Sequence, residues 1–427
     1  MFQFIHAADV HLDSPLIGLE QYEGAPVEEI RGASRRALGR LVELAIDREV
    51  AFVVIAGDLY DGDWKDHNTG LFFVGQAARL REAGIPLFVI SGNHDAESAM
   101  TKSLRLPKNP NGSNMMLSHR KVETVRLDEF GVAIHGRGFD QPKLTDNVTE
   151  QYPAATPGLF NLGLLHTSLD SESEDQHARY APCRLADLES KQYDYWALGH
   201  IHQRTDACRG ANAYYSGNLQ GRHIRETGAK GCHLVTVDSG GRADVRFEPL
   251  DVMRWEHVRL DATDAEDGEA LLDRFAEQLA RLDQRHGGMP LAMRVTVSGR
   301  CRLHDQLASQ PAHWRREVQA QALSASGGRV WIEKVRFRTS PDVSLADMLQ
   351  ADGPIAEVAK YFDELRQDDE RLLGLAGELD DLMRKLPDEL RMGQEAIDWT
   401  RPANVRDLLA EVEPLLLGRL LDQESGS

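Results

Sequence analysis

The sequence predicts an α/β protein with a parallel sheet, helices on its faces, a second sheet, a smaller α/β unit and a helical tail. Two observations predict this class. Short apolar runs alternate with segments of helical periodicity over residues 1–250, and parallel strands need such crossover segments between them. Beyond residue 340, apolar residues recur at helical spacing among charged residues, which is typical of amphipathic helices.

The first elements justify the parallel sheet, because three apolar runs of strand length are separated by two helical patterns. In chain order they are the strand Phe2–Ala8, the helix Val27–Arg48, the strand Ala51–Ala56, the helix Asn68–Ala83 and the strand Pro86–Ile90. Few helical patterns separate the later strands, so a second and more antiparallel sheet is expected. These later strands are Val132–His135, Leu162–Leu165, Tyr195–Leu198, Ala213–Ser216 and His233–Val237.

A boundary is predicted at Pro249–Trp255, which gives a first domain over residues 1–250. Residues 251–340 then follow a β-α-β-α-β order and form a small α/β cap. Its elements are Glu256–Leu260, Ala265–Arg285, Leu291–Val297, Trp314–Ala325 and Val330–Phe337. Residues 341–427 form the acidic helical segment, which Pro387, Pro402 and Pro414 are expected to divide into several helices.

Charge is distributed unevenly along the chain. Of the formal net charge of −19, residues 342–427 contribute −12 from 21 acidic and 9 basic residues, which leaves −7 for the first 341 residues. This balance excludes non-specific wrapping of nucleic acid by a generally basic surface. No apolar run approaches the roughly 18 residues of a membrane span, and no signal peptide is recognisable, so a cytoplasmic protein is expected.

Five segments share one layout, in which an apolar strand is followed at once by side chains that can bind metal. FIHAADVH provides Asp9 and His11, VVIAGDLYD provides Asp58 and Asp61, LFVISGNHD provides Asn93, His94 and Asp95, LGLLHTS provides His166, and YWALGHIH provides His200 and His202. Ligands of open α/β sheets gather at the carboxyl ends of strands. Any one segment alone has an ordinary explanation, such as a core histidine or a turn, but all five in order predict one site.

The ligand types indicate the metal. Imidazole together with carboxylate and amide oxygen suits Mn²⁺, Fe²⁺ or Zn²⁺, and no thiolate is needed. A shared carboxylate such as Asp58 could bridge two ions about 3.5–4 Å apart. Such a pair would lower the pKa of a bridging water and neutralise charge on a phosphoryl group. The sequence therefore predicts a two-metal phosphoesterase.

The motif series D-x-H, GDxxD, GNHD, lone His and GHxH resembles that of the calcineurin-like metallophosphoesterase superfamily. The chain is similar, more narrowly, to the SbcD-type DNA repair exonucleases, and in its opening FIHAADVHLDSPL to their YhaO-like branch. The resemblance covers residues 2–218. It implies a two-sheet sandwich flanked by helices and hydrolysis of phosphodiester bonds by a metal-activated hydroxide.

The resemblance also implies residue roles. One ion would be held by Asp9, His11 and His202, the other by Asn93, His166 and His200, and Asp58 would bridge them, with Mn²⁺ as the expected metal. His94 would stabilise the transition state or protonate the leaving oxygen, and Asp61 would orient His94. A turn role is expected for Asp95.

The family suggests a DNA exonuclease that works with an SbcC-like coiled-coil ATPase. The cap would position the duplex, and the tail would dock the ATPase through Leu408, Leu409, Leu415 and Leu416. The loop residues Arg222, His223 and Arg225 either contact a phosphate backbone or lie in an ordinary solvated loop. Two other functions remain open, a phosphatase or small-molecule phosphodiesterase and a non-catalytic interaction subunit. The sequence also leaves open a homodimer.

Overall fold

The computed structural model describes residues 1–14, 27–61, 67–97, 106–169, 181–208, 210–342, 354–378 and 401–425. The chain forms two compact units. The first comprises Met1–Glu256 with Met289–Ala292, and the second comprises His257–Gly288 with Met293–Ser427. The second unit thus includes both the predicted cap and the predicted tail, and the separate boundary near residue 340 stays a prediction.

The first unit contains two sheets and the helices beside them. In chain order its elements are β1 (Phe2–Ala7), α1 (Val27–Asp47), β2 (Phe52–Ala56), α2 (His67–Glu82), β3 (Leu87–Ile90), α3 (Asn93–Glu97), β4 (Glu123–Leu127), β5 (Val132–Gly136), a 3₁₀ turn (Val148–Gln151), β6 (Phe160–His166), α4 (Leu185–Ser190), β7 (Tyr195–Gly199), β8 (Thr205–Cys208), β9 (Ala213–Tyr215), β10 (Gly231–Val237) and β11 (Ala243–Pro249). The mixed α/β class with sheets flanked by helices is confirmed.

The first sheet has the strand order β11-β10-β1-β2-β3. Strands β1, β2 and β3 are parallel, which confirms the prediction from the strand and helix order. Strand β10 pairs antiparallel with β1, and β11 pairs antiparallel with β10. The sequence analysis missed β11, where Asp244, Arg246 and Glu248 interrupt the apolar residues and no residue is fully buried.

The second sheet has the order β4-β5-β6-β7-β9-β8. Strands β5, β6, β7 and β9 are all parallel, and the antiparallel pairs β4–β5 and β8–β9 lie at its edges. The expectation of a more antiparallel second sheet was therefore wrong. Within the described residues, the helices in the connections between the parallel strands are the short α4 and a 3₁₀ turn, which do not give the helical pattern of an ordinary crossover helix.

The core around the first sheet has two layers because successive side chains of a buried strand point to opposite faces. Ile5 and Ala7 of β1 pack among apolar residues of α1 and α2. Phe4 and Phe52 lie on the opposite face, where their rings stack with centroids 4.9 Å apart among residues of the second sheet. The layer between the sheets is therefore a shared core that fixes one sheet against the other.

A buried histidine also links the two sheets. His6 of β1 lies 3.0 Å from the Tyr195 hydroxyl through Nδ1 and 3.2 Å from the Leu198 carbonyl oxygen through Nε2. Burial and the neighbouring His233 lower the pKa of His6 well below its ordinary value, so the ring is neutral. Both ring nitrogens are satisfied, which is what a polar group in this apolar layer requires.

The second unit contains a sheet of order β12-β13-β14 and two groups of helices. In chain order its elements are β12 (Arg254–Asp261), α5 (Gly268–His286), β13 (Leu291–Cys301), α6 (His304–Ser309), α7 (Pro311–Ser326), β14 (Val330–Pro341), α8 (Pro354–Gln367), α9 (Asp369–Glu378) and α10 (Pro402–Ser425). The first residues of β12 and β13 belong to the first unit. The predicted β-α-β-α-β order is confirmed, with the short α6 as an addition.

The tail helices pack on one another and correct two expectations. Leu409, predicted to contact the ATPase, is buried in a cluster from α8, α9 and α10 that also contains Phe362, Leu365, Leu372, Ala376 and Val405. Leu408 is half-buried, Leu416 is exposed and the side chain of Leu415 lies outside the described residues. Helix α10 continues through Pro414, which was expected to end a helix, while Pro387 lies outside the described residues.

No helix in the part of the chain that the structure describes is long and apolar enough to cross a membrane.

The shared core between the two sheets generates a stability prediction. Leu162 is fully buried there, whereas Leu71 on α2 is 62% exposed. We expect Leu162→Ala to lower the free energy of unfolding by about 2–5 kcal/mol, because it removes apolar contacts and leaves a cavity. The matched control Leu71→Ala should change it by less than about 0.5 kcal/mol. Equal shifts of the denaturation midpoint in both variants would contradict this account of the core.

Candidate metal centre

The predicted site residues meet where the carboxyl ends of strands from both sheets converge. Strand β1 leads to Asp9 and His11, β2 to Asp58 and Asp61, β3 to Asn93 and His94, β6 ends on His166, and β7 leads to His200 and His202. All nine side chains contribute to one cluster of contacts. Each strand is buried along its length, so the loop after it starts from a fixed position.

The backbone of these loops is unusual. Asp9, His11, Asp58 and His200 have positive φ values of 49°, 44°, 49° and 101°. This region costs a non-glycine residue about 1–3 kcal/mol, and residues in such conformations cluster at functional sites. The loops after β1 and β2 hold each other through backbone bonds, from the Asp9 N–H to the Gly57 oxygen at 3.1 Å and from the His11 N–H to the Asp58 oxygen at 3.0 Å.

Two glycines allow the strand ends to approach this closely. A Cβ atom on Gly92 would overlap the Asp58 carboxylate, and a Cβ atom on Gly199 would overlap the Ala56 carbonyl oxygen. Gly199 ends β7 in the second sheet and Ala56 ends β2 in the first. Any side chain at position 199 would therefore push the two halves of the site apart.

The first group of ligands comprises Asp9, His11 and His202, whose nitrogen and oxygen atoms lie within 4.8 Å of one another. The Nε2 atoms of His11 and His202 are 3.1 Å apart. His202 Nδ1 bonds Glu226 Oε1 at 2.7 Å, which turns its Nε2 atom toward the first group. Burial and the charge of Arg222 lower the pKa of His11 to about 3, so the His11 ring is neutral.

The second group comprises Asp9, Asp58 and His166, with Asn93 beside them. His166 Nδ1 donates to the Ala56 carbonyl at 2.9 Å, which turns Nε2 toward Asn93 Oδ1 at 3.1 Å and Asp58 Oδ2 at 3.4 Å. The centroid of the His200 ring lies 5.3 Å from that of the His166 ring. The backbone N–H of His200 donates to both Asp9 carboxylate oxygens. Asp9 thus borders both groups, although the resemblance assigned it to the first ion only.

The donor set fits divalent cations. In each group, imidazole nitrogens and carboxylate oxygens lie within 4.8 Å of one another, and Asn93 adds an amide oxygen to the second group, ligand types that suit a divalent cation. Burial alone lowers the pKa of His166, but the charge of Asp58 and its contact with the ring outweigh burial and raise that pKa to about 9. The position beside Asp58 therefore strongly favours positive charge. Asp58 is central because it also lies 3.9 Å from His11 Nε2.

His94 and Asp61 form a pair at the rim of this cluster. His94 Nδ1 donates to Asp61 Oδ1 at 2.9 Å, and the His94 ring is 39% exposed. Burial lowers the pKa of His94, but the hydrogen bond that His94 donates to Asp61 and the charge of Asp58 outweigh it, so the pKa is raised. The second oxygen of Asp61 accepts from Arg222 at 3.2 Å and from the Ser14 hydroxyl. The imidazole is therefore held in place with an accessible face.

Asp95 has the turn role that was expected. Its carboxylate accepts hydrogen bonds from the backbone N–H groups of Leu59, Tyr60 and Gly92 at 2.8–3.0 Å. These bonds join the loop after β2 to the loop after β3. Burial, and then the charge of Asp58, raise the pKa of Asp95 to about 7.

Asp13 has a comparable supporting role in the loop after β1. Its carboxylate accepts hydrogen bonds from Arg35 on α1 and from the Thr69 hydroxyl on α2 at 2.6 Å. The loop that carries Asp9 and His11 is thereby tied to both helices.

The sequence analysis missed Glu226 and the role of Arg222. Glu226 is buried and accepts from His202 Nδ1, from Asn218 Nδ2 at 2.8 Å and from the Arg222 N–H at 2.8 Å. It follows no apolar strand, so the signal that revealed the other residues is absent here. Arg222 pairs with Asp61 and Glu226, whereas Arg225, from the same loop, is exposed.

Comparisons with known proteins agree with this geometry. The calcineurin-like phosphoesterase family matches residues 2–204, and the middle domain of metallophosphoesterase YhaO matches residues 255–340. The chain is 32% identical to the uncharacterized metallophosphoesterase YhaO of Bacillus subtilis over 300 residues, which is 69% of this chain and 71% of that protein.

A more distant relative is the DNA double-strand break repair protein Mre11 of Methanopyrus kandleri. It is 24% identical over 276 residues, which cover 58% of this chain and 57% of that protein. The match to YhaO extends over more than two thirds of both chains, and the separate middle-domain match lies in the second unit. The chain therefore belongs to the calcineurin-like metallophosphoesterases, in the group that carries a YhaO-type middle domain.

Proposed function

We propose that this protein is a Mn²⁺-dependent DNA exonuclease. The observation that carries the proposal is the convergence of imidazole, carboxylate and amide ligands on two cation positions, with the paired His94 and Asp61 at their rim. The similarity to a DNA double-strand break repair protein supports DNA as the substrate. Fe²⁺ and Zn²⁺ would suit the same ligands.

Different residues of the site carry different parts of the proposed reaction. When bound, the two ions supply a hydroxide nucleophile at neutral pH and neutralise charge on the phosphoryl oxygens. The buried carboxylates of Asp9 and Asp58, together with the histidines, hold the cations on the inner side of the site. His94 at the exposed rim donates a proton to the leaving oxygen of the ester, which its raised pKa favours at neutral pH.

A phosphatase or small-molecule phosphodiesterase is the second candidate. One observation favours it: the more similar relative bears a name that specifies only a metallophosphoesterase. A two-metal site stabilises the phosphoryl group of monoesters and diesters alike. Cleavage of small esters without cleavage of DNA would support this second candidate.

We further propose that the tail helices dock an SbcC-like coiled-coil ATPase. Val412 and Leu416 on α10 are 43% and 41% exposed, and they lie four residues apart on one helix face. Leu373 and Leu375 on α9 are also exposed. Helices α9 and α10 therefore present exposed apolar side chains of the kind that mark interaction surfaces.

The nuclease proposal predicts that the protein degrades end-labelled linear duplex or single-stranded DNA with Mn²⁺ and not with EDTA. We expect His94→Ala to lower kcat about 100- to 10,000-fold because it removes the proton donor, while the bound Mn²⁺ content stays unchanged. The control His119→Ala changes an exposed histidine outside the cluster and should cleave normally. Intact DNA after incubation with protein that demonstrably contains metal would contradict the proposal.

The His94–Asp61 pair predicts a pKa change that does not depend on activity. In metal-free Asp61→Asn protein, the pKa of His94 should fall, because burial lowers it and the opposing carboxylate is gone. A pH titration of the histidine ring signals by NMR measures this directly. Asp128→Asn, at an exposed carboxylate, is the control. An unchanged pKa of His94 in Asp61→Asn would show that Asp61 does not hold the imidazole.

The docking proposal predicts that Val412→Asp combined with Leu416→Asp abolishes co-purification with a co-expressed SbcC-like ATPase, because charge then replaces the exposed apolar strip. Leu323→Asp, which is 62% exposed on α7, is the matched control and should leave association intact. Unchanged co-purification of the double variant would rule out this surface. A change of its mass in size-exclusion chromatography without the ATPase would instead assign the strip to a homodimer.

A further inference from the structure

One guanidinium lies between two carboxylates at the edge of the metal centre. Arg222 Nη1 donates to Asp61 Oδ2 at 3.2 Å, and its Nη2 donates to Glu226 Oε1 at 3.2 Å. The side chain is only 16% exposed. The Arg222 backbone N–H also donates to the second oxygen of Glu226 at 2.8 Å, so the residue is fixed at both ends.

Each of these carboxylates in turn holds a functional imidazole. Asp61 Oδ1 accepts from His94 Nδ1 at 2.9 Å, and Glu226 Oε1 accepts from His202 Nδ1 at 2.7 Å. A continuous series of contacts therefore runs from the proposed proton donor, through Arg222, to a proposed metal ligand. Carboxylates that orient a ligating histidine in this way tune metal affinity in metalloproteins.

The shape of arginine suits this position. Its planar fork presents two terminal nitrogens in a fixed geometry, so one side chain can bridge two carboxylates, whereas a lysine ammonium is a single point charge. Both terminal nitrogens of Arg222 are occupied by Asp61 and Glu226. The positive charge is thus shared between groups that orient other residues, and a role as a free phosphate ligand is disfavoured.

We propose that Arg222 is a positioning residue that fixes His94 through Asp61 and His202 through Glu226. The proposal rests on the proposed phosphoesterase function. Without the guanidinium, Asp61 and Glu226 lose a common partner and are free to turn away from their imidazoles. Losing Arg222 then weakens metal binding and proton donation together, although Arg222 itself contacts neither the metal nor the leaving oxygen.

The test compares Arg222→Met and Arg222→Lys with the wild-type protein and with Arg242→Met, a matched change on the exposed hairpin between β10 and β11. The substrate is bis(p-nitrophenyl) phosphate with Mn²⁺. Titration calorimetry measures Mn²⁺ affinity, and the Co²⁺ absorption spectrum reports ligand geometry. For Arg222→Met we expect kcat to fall about 10- to 100-fold, KM to stay within about twofold and Mn²⁺ affinity to fall about tenfold.

The lysine variant and a double variant separate positioning from substrate binding. Arg222→Lys should restore only part of the activity, because one ammonium does not bridge both carboxylates. In a His94→Ala background with saturating Mn²⁺, Arg222→Met should have a smaller effect on kcat, since the contribution of Arg222 that acts through Asp61 and His94 is already lost. A rise in KM with unchanged kcat and Mn²⁺ affinity would overturn the proposal and assign Arg222 to the substrate phosphate.

Two further measurements keep this proposal separate from the function on which it rests. If the wild-type protein cleaves no ester, the proposed function fails, but the calorimetry and the Co²⁺ spectrum still test the effect of Arg222 on the metal ligands. If Arg222→Met does not fold, Glu226→Gln tests the same path with a side chain of equal size. Unchanged Mn²⁺ affinity in Glu226→Gln would overturn the proposal.

Discussion

The whole active region depends on how its buried carboxylates are compensated. Asp9, Asp58, Asp95 and Glu226 are buried, and the Asp61 side chain is 16% exposed. An uncompensated buried carboxylate costs several kcal/mol, so each one needs hydrogen-bond donors, imidazoles, an arginine or a cation. Backbone N–H groups of the loops supply much of this compensation, and several residues of the same loops adopt positive φ values. The loops that place the ligands therefore also supply the backbone donors that compensate the charge of the carboxylates.

The two sheets provide the rigidity that this arrangement requires. Phe4 and Phe52 pack in the layer between them, and His6 joins β1 to β7 by hydrogen bonds. The ends of β2 and β7 approach each other directly, where Gly199 meets the Ala56 carbonyl that also orients His166. Packing far from the metal positions therefore sets the distances between ligands that come from different sheets.

The solvent exposure of the side chains also differs between the interior and the rim of the site. Most of the groups expected to hold cations are buried and His200 and His202 are half-buried, whereas the His94 ring is 39% exposed. This arrangement leaves a face on which a phosphoester could lie between the cations and the proton donor. The large negative charge of the chain is concentrated in its last 86 residues, away in sequence from every motif of the metal centre.

The sequence by itself determined the residues of the five motif loops and the parallel order of β1, β2 and β3, because both are local patterns of apolar strands and the side chains that follow them. Only the tertiary structure decided the relative directions of the strands in the second sheet, the burial of Leu409 and the continuity of α10 through Pro414. It alone also revealed Glu226 and the bridge from Arg222 to Asp61. Arg222 and Asp61 are 161 positions apart, and no local pattern in the sequence predicts a contact between groups that only the folded sheets bring together.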